Sequence, residues 1–200
     1  AVPEFVKVKT WETQETLGSL FMWYHADDEP PSWQMNDIRD IPSGNWKLGV
    51  RYESVLSVHI RDLGENEADL AHFGALHKPN PLMSPEEFSV SGGDTFWGRV
   101  LTYDWTADWH VEAHTSVVDV DADLEVFGKV YPILHHKACV TLHGPACLIV
   151  RVSSQLGNIF MVVTITPEGP FENRVVHKLY FDPGSRMIFR FIASKVYLSA

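Results

Sequence analysis

The sequence predicts an α+β fold in which a long, twisted antiparallel sheet grips one or two helices. From Thr95 onward, β-branched and aromatic runs of roughly ten residues alternate with polar turns, which is typical of antiparallel strands. Only two segments have helical composition. The first is Glu65–His77, closed by Lys78-Pro79, and the second is Met187–Ala200.

The strands are predicted in chain order from composition and turn signals. A first pair flanks the turn-like Leu17-Gly18-Ser19, and a further strand precedes the first helix. The remaining strands follow the Pro-rich stretch after that helix. The full set is Phe5–Trp11, Leu20–His25, Tyr52–Asp62, Thr95–Thr102, His110–Val120, Glu125–Leu134, Lys137–His143, Cys147–Ser153, Ile159–Pro167 and Asn173–Phe181.

Length and composition limit the class of protein. Two hundred residues, 45% of them hydrophobic, fit one packed domain spanning 1–200. The net charge of −10, from 16 basic and 26 acidic residues, argues against nucleic acid as a partner. No apolar run approaches the roughly 18 residues of a membrane span, so the segment is predicted to be soluble.

The two cysteines and two clusters that contain histidines allow a disulfide and further metal sites, but the sequence does not favour them. Free thiols are expected at Cys139 and Cys147, although a hairpin between them would permit a disulfide. The cluster around these cysteines has the composition of a metal site, but its spacing matches no compact zinc pattern. In the other cluster, two histidines and one glutamate would share one strand face, where they could form either a site or a polar outer surface. The two clusters are His135, His136, Cys139, His143 and Cys147, and His110, Glu112 and His114.

The most informative spacing is Asp69-x-x-His72-x-x-x-x-His77. Imidazole and carboxylate ligands suit a mononuclear iron that keeps positions open for oxygen. On a regular helix His72 and His77 would diverge by about 140°, so the helix must loosen or end between them, as Gly74 would allow. Asp69 would share a helical face with His72 and could orient it. Spacing alone equally allows a surface helix with two ordinary histidines.

The wider motif is similar to that of a known family. Asn66-x-x-Asp69-x-x-His72-x-x-x-x-His77, after a predicted strand ending Ile60-Arg61-Asp62-Leu63, resembles the iron motif of Rieske-type non-haem oxygenases. The sterol-acting branch is the closer match, namely the cholesterol 7-desaturases, with bacterial ketosteroid hydroxylases as more distant relatives. The flanks resemble it too, in Val8-Lys9-Thr10-Trp11, Phe21–Ala26, the Pro-Pro-Ser-Trp loop, Thr164–Pro167 and Glu172–His177.

This resemblance implies a function and a ligand set. His72 and His77 would bind iron(II), and Asp69 would bridge to a Rieske histidine of the neighbouring subunit. The implied reaction is oxygen-dependent desaturation of a sterol at C7–C8, from cholesterol to 7-dehydrocholesterol. The implied partners are the sterol, dioxygen and a reductase that donates electrons through a [2Fe-2S] cluster. The complete protein would be a homotrimer anchored to a membrane.

Two departures from the family pattern lead us to expect a partial catalytic domain. A Rieske cluster needs C-x-H and C-x-x-H pairs, which two cysteines cannot supply here. The family's third iron ligand is an Asp on a helix after the last strand, whereas Met187–Ala200 contains no acid. We therefore expect the cluster domain and the third ligand to lie outside this chain, and the chain alone to be inactive. A lipid-binding module without catalysis, or an interaction fragment, remains an alternative.

Three apolar residues are predicted to line a sterol pocket, because a sterol offers a rigid apolar skeleton and one hydroxyl. Phe73 and Leu76 flank the predicted iron ligands, and Trp97 opens the strand after the Pro-rich stretch. Strand alternation would place Phe96 and Trp97 on opposite faces, and Trp97 is the favoured one.

Overall fold

A computed structural model describes residues 8–35, 45–72, 87, 90, 91 and 94–199. The contacts of the chain divide it into two compact units, residues 1–45 and 46–200. The single domain predicted for 1–200 stays a prediction.

The first unit contains a β-hairpin. Strands β1 (Thr13–Thr16) and β2 (Ser19–Met22) pair antiparallel, with Thr13 opposite Met22. Leu17 and Gly18 form the turn with positive φ angles of 54° and 63°, the backbone that two-residue hairpin turns favour. The predicted turn is confirmed, but the predicted strand Phe5–Trp11 is not a strand over its described residues.

The second unit is built on one antiparallel sheet. Its strand order is β3-β10-β9-β8-β7-β5-β4, with β6 pairing β5. The predicted strands near the end of the chain are confirmed with small shifts of their ends. The strands are β3 Lys47–Leu56, β4 Leu101–Glu112, β5 Thr115–Val126, β6 Lys129–Val130, β7 His136–His143, β8 Cys147–Ser154, β9 Gly157–Gly169 and β10 Glu172–Phe181.

Short helices interrupt the described part of this unit, and a longer helix ends it. They are α1 Ile60–Ala68, α2 Leu70–His72, α3 Phe96–Val100 and α4 Met187–Ser199, with a 3₁₀ turn at Pro132–Leu134. The predicted helix Met187–Ala200 is confirmed as α4. A mostly antiparallel sheet with few helices confirms the predicted α+β class.

Four predicted strands are wrong over part of their length. Turns interrupt His110–Val120 after Glu112 and Glu125–Leu134 after Val126. In Tyr52–Asp62 and Thr95–Thr102, side-chain caps start helices inside the predicted strand. His59 Nδ1 accepts a hydrogen bond from the Arg61 N–H, and the Asp62 carboxylate accepts one from the His59 N–H. Helix α1 therefore begins at Ile60, within the predicted strand Tyr52–Asp62. Thr95 Oγ1 likewise accepts from the Gly98 N–H at 3.0 Å and starts α3.

Both α1 and α4 pack on the same face of the sheet. Cross-strand partners and alternate residues of a strand share a face. By the strand registers, one face therefore carries two buried clusters. The cluster under α1 is Val163, Ile165 and Val175, and the cluster under α4 is Val50, Leu179 and Phe181. We call this the helix-side face.

Candidate functional site

Helix α1, which leads to the predicted iron ligands, lies on the helix-side face. Ile60 and Leu63, three residues apart and so on one side of the helix, pack against Val163, Ile165 and Val175. This apolar spacing directs α1 onto the sheet.

The N-terminal end of α1 is tied to strand β10 by a buried amide. Asn173 is 1% exposed, and its Nδ2 donates to the carbonyl oxygen of Val58 at 2.7 Å. A buried hydrogen bond is directional, so this contact fixes where the chain enters the helix.

The C-terminal end of α1 carries a buried carboxylate over strand β5. Glu67 is 6% exposed, and its Oε2 accepts a hydrogen bond from the Ser116 hydroxyl of β5. Burial raises the pKa of the Glu67 carboxyl above its usual range, although the hydrogen bond from Ser116 opposes the shift. Helix α1 therefore crosses the sheet from β10 to β5.

The chain leaves helical geometry at Asp69, one residue after α1. Asp69 has φ −84° and ψ 84°, and its Oδ1 accepts from the Ala71 N–H at 3.0 Å, which caps the short helix α2. The expectation that Asp69 and His72 share one helical face is wrong, because the helix is interrupted between them. His72 is the last residue of α2.

Most of the predicted site lies outside the described residues. His77, Phe73 and Leu76 fall there, and only the backbone of His72 is described. Their roles as iron ligands and pocket residues therefore stay predictions, as does the helix end at Gly74. Within 8–35, 45–72 and the described residues from 87 onward, no group of three His, Cys, Asp or Glu side chains could hold a metal ion.

The structure places Trp97 in helix α3 and not in a strand. Its side chain is 54% exposed, and its ring centroid lies 5.2 Å from that of Phe96 in an edge-to-face arrangement. The alternation argument for Trp97 is therefore wrong. Its role in a pocket stays a prediction.

A histidine that sequence reasoning passed over lies between the two helices. His177 belongs to β10, between Val175 under α1 and Leu179 under α4, and alternation puts all three side chains on the helix-side face. Its ring centroid is 6.0 Å from that of Tyr52, its partner on β3. Burial lowers the pKa of the imidazole. The signal in the sequence was a single polar residue in the alternating stripe Val175-x-His177-x-Leu179.

The other candidate clusters have local partners. His135 Nδ1 lies 3.1 Å from the Asp123 carboxylate and its Nε2 lies 3.7 Å from that of Asp121. His110 Nε2 lies 3.6 Å from Glu112. Two members of the first cluster, His143 and Cys147, are buried, and the His143 ring lies 6.4 Å from that of His114 of the second cluster.

Both cysteines are free, as predicted. Cys139 lies opposite Arg151, and Cys147 lies opposite His143, so the two thiols do not face each other across the β7–β8 pair. Burial raises the pKa of the Cys147 thiol to about 12, which keeps it protonated.

The described helices do not suit a membrane span, since none is both long and apolar enough to cross a bilayer. Membrane anchoring of the complete protein stays a prediction.

An antiparallel sheet with helices packed on one face matches the fold of the catalytic domain of Rieske-type oxygenases. Residues 22–184 match the family described as the 3-ketosteroid 9alpha-hydroxylase C-terminal domain, and the chain belongs to this family. This confirms the resemblance inferred from the motif and its flanks.

Known proteins support the same assignment. A cholesterol 7-desaturase of Caenorhabditis elegans is 28% identical over 90% of this chain and 43% of its own length. A cholesterol 7-desaturase of Xenopus laevis is 30% identical over 90% of this chain and 40% of its own length. The chain therefore spans about two fifths of the length of these relatives.

A solved structure shows the shared fold. A quaternary ammonium Rieske monooxygenase superposes with a TM-score of 0.58 at 10% sequence identity, covering 94% of this chain and 47% of that one. At this identity the likeness shows the fold alone.

Proposed function

We propose that this chain provides the mononuclear iron domain of a Rieske-type sterol desaturase that converts cholesterol to 7-dehydrocholesterol. The observation that carries the proposal is the position of α1 on the sheet. The segment that contains His72 follows α1, and α1 is fixed on the apolar helix-side face. The cholesterol 7-desaturases that the chain resembles supply the reaction and the substrate.

The donor chemistry of His72 and His77 fits iron(II), because neutral imidazole is a good ligand for this ion. The interruption at Asp69 also fits, since a break in the helix frees the following turn from helical geometry. Bound there, the iron would supply activation of dioxygen, with electrons from a [2Fe-2S] cluster and a reductase. In this proposal His72 and His77 are the ligands contributed by the described unit and the segment that follows α2.

Asp69 would act in electron transfer between subunits of a homotrimer. The bridge would run from its carboxylate to a cluster-binding histidine of the neighbouring subunit. Because Asp69 Oδ1 also caps α2 through Ala71, its carboxylate is held at the entry to the ligand segment. Phe73, Leu76 and Trp97 would contribute apolar surface to the sterol site.

Conversion of cholesterol tests the proposal. Cells that express the complete coding region, fed with labelled cholesterol, should form 7-dehydrocholesterol measurable by mass spectrometry. We expect His72→Ala and His77→Ala to reduce conversion at least 100-fold at equal expression and to lower the iron content. Asp69→Asn keeps the acceptor for Ala71, so we expect iron to be retained while conversion falls.

The matched control is His110→Ala, a histidine on β4 that the proposal does not use. It should convert cholesterol as the wild type does. Unchanged conversion in both His72→Ala and His77→Ala would refute the iron assignment. Saturable cholesterol binding with no conversion by the wild type would instead favour the sterol-binding module, which the apolar helix-side face could also form.

A further inference from the structure

Three chain segments lie at the same end of the sheet in the second unit. Strand β5 runs antiparallel to β7 and therefore parallel to β8 and β10, so the C-terminal ends of β5, β8 and β10 lie together. The segments that follow these strands are 127–133, 155–156 and 183–188. Gln155 Nε2 donates to the carbonyl oxygen of Pro132, and the Arg186 N–H donates to that of Leu156, each at 3.4 Å. We call these three segments the hairpin end of the sheet.

The hairpin end exposes large apolar side chains. Phe127 at its tip is 68% exposed, and Met187 and Ile188 at the start of α4 are 86% and 63% exposed. The hairpin and the loop after it add the exposed side chains of Val130, Tyr131 and Ile133. Apolar residues scattered singly over a surface are ordinary, but a group gathered at one end of a molecule is typical of a binding surface.

Folding alone does not explain Phe127. Its φ angle is 52° and that of Gly128 is 69°, which is the left-handed pair of a two-residue hairpin turn. Gly and Asn adopt this backbone readily, whereas a bulky side chain in it is strained. Because the ring is exposed, its burial does not offset this cost. A strained residue presented to solvent at the tip of a hairpin is suited to contact a partner.

The charges at the hairpin end are basic. Lys129 and Arg186 are exposed, and the stretches 126–137 and 183–200 contain no acid in a chain whose net charge is −10. The opposite end of the sheet differs. There Phe171, in the turn between β9 and β10, is 67% exposed, but the charged residues on either side of it are Glu168 and Glu172. Both ends therefore expose an aromatic ring, and the ring of the hairpin end has basic neighbours.

Apolar side chains on turns, with basic residues beside them, match the chemistry of a lipid surface. Aromatic and aliphatic side chains enter the boundary between headgroups and acyl chains, while Lys and Arg contact anionic headgroups. The exposed side chains of the hairpin end come from separate segments at one end of the sheet. This arrangement suits a broad, flat surface better than a peptide bound in a groove.

We propose that the hairpin end docks on an anionic lipid bilayer. Phe127 and Met187 enter the headgroup boundary, and Lys129 and Arg186 contact the anionic headgroups. The inference goes beyond the proposed function and does not rest on it. Sterols partition into bilayers, so docking would bring the chain to the place where its proposed substrate is found.

Co-sedimentation of the 200-residue chain with sterol-free vesicles tests this docking. Vesicles of phosphatidylcholine alone are compared at low salt with an equimolar mixture of phosphatidylcholine and phosphatidylserine. We expect tighter binding to the mixed vesicles, because their headgroups attract Lys129 and Arg186. Phe127→Asn should weaken binding to the mixed vesicles about tenfold through loss of the inserted ring. Lys129→Gln should weaken it about fivefold.

Phe127→Asn separates binding from folding, because Asn-Gly is a sequence that this turn favours. Its free energy of unfolding in urea should equal or exceed that of the wild type, while its vesicle binding falls. The matched control is Phe171→Asn, which removes an equally exposed ring at the opposite end of the sheet and should bind as the wild type does.

Undiminished vesicle binding by Phe127→Asn, or equal losses from Phe127→Asn and Phe171→Asn, would overturn the proposal. Failure of the wild type to bind the mixed vesicles would overturn it as well. If the wild type instead self-associates in sedimentation velocity and Phe127→Asn does not, the hairpin end is an interface between copies of this chain and the lipid assignment is wrong. Because the vesicles hold no sterol, each of these outcomes leaves the proposed conversion of cholesterol to its own test.

Discussion

Helices α1 and α4 occupy the same face of one sheet but are held there differently. Polar side chains tie down both ends of α1, with Asn173 bonded to the carbonyl of Val58 and Glu67 bonded to Ser116. Helix α4 is packed through Phe189 and Ala193 on an apolar cluster. Hydrophobic burial is non-directional, whereas a hydrogen bond fixes position. The helix that leads to the predicted iron ligands is thus the one with directional anchors.

The largest expected effect on the free energy of unfolding comes from the apolar cluster on which α4 packs. Phe181 is fully buried in the cluster beneath α4, and its ring lies against Gly49, where an added Cβ would clash with it. Phe181→Ala should lower the free energy of unfolding by about 3–5 kcal/mol, because it removes a large buried ring and leaves a cavity. Urea denaturation followed by fluorescence measures the change.

The matched control for that prediction is Phe191→Ala on α4 itself. Phe191 is 61% exposed, so its loss should change the free energy of unfolding by no more than about 0.5 kcal/mol. Equal losses from the two substitutions would mean that burial under α4 does not stabilise the unit.

A smaller effect is expected when the anchor of α1 is removed. Asn173→Ala leaves the Val58 carbonyl without the amide that it accepts from, and should cost about 1–3 kcal/mol. Hydrogen exchange should accelerate at the N-terminal turn of α1 and remain unchanged in α4.

Arg174, the next residue on β10, gives a control on the opposite face. Its guanidinium pairs with Glu53 and Glu168, each at 2.6 Å, but it is substantially exposed. Arg174→Ala should cost less than about 1 kcal/mol, with a smaller cost in high salt. A larger loss from Arg174→Ala than from Asn173→Ala would contradict the importance of the buried anchor.

The smallest effect concerns the pH dependence of the second anchor. Burial raises the pKa of the Glu67 carboxyl in the folded protein above its ordinary value of 4.5. Below that value the group is protonated in both states. As the pH rises above it, the unfolded state ionises first, so the stabilising contribution of Glu67 is lost.

Glu67→Gln cannot ionise, so its stability relative to the wild type should rise as the pH increases from about 4.5 towards neutrality. Urea denaturation at several pH values measures this difference. Glu65→Gln, an exposed position on the same helix, is the control. A flat difference for Glu67→Gln would show that the Glu67 carboxyl ionises equally well in both states.

The sequence by itself determined the sheet of the second unit from β7 onward, the helix after Arg186 and the membership of the family. Alternating apolar residues and polar turns are local signals, and the strands from His136 to Phe181 follow them closely. The iron motif and its flanks likewise identified the family without any tertiary information.

The tertiary structure alone decided where the helices near the site begin, and which side chains meet. His59 and Thr95 start helices inside apparent strands because their side chains accept specific backbone hydrogen bonds, a choice that composition does not encode. The break at Asp69 depends on its own bond to Ala71. His177 gained its position because strand register places it between residues buried under two helices that are distant in sequence. Such long-range pairing depends on the packing of the whole sheet, and no local pattern contains it.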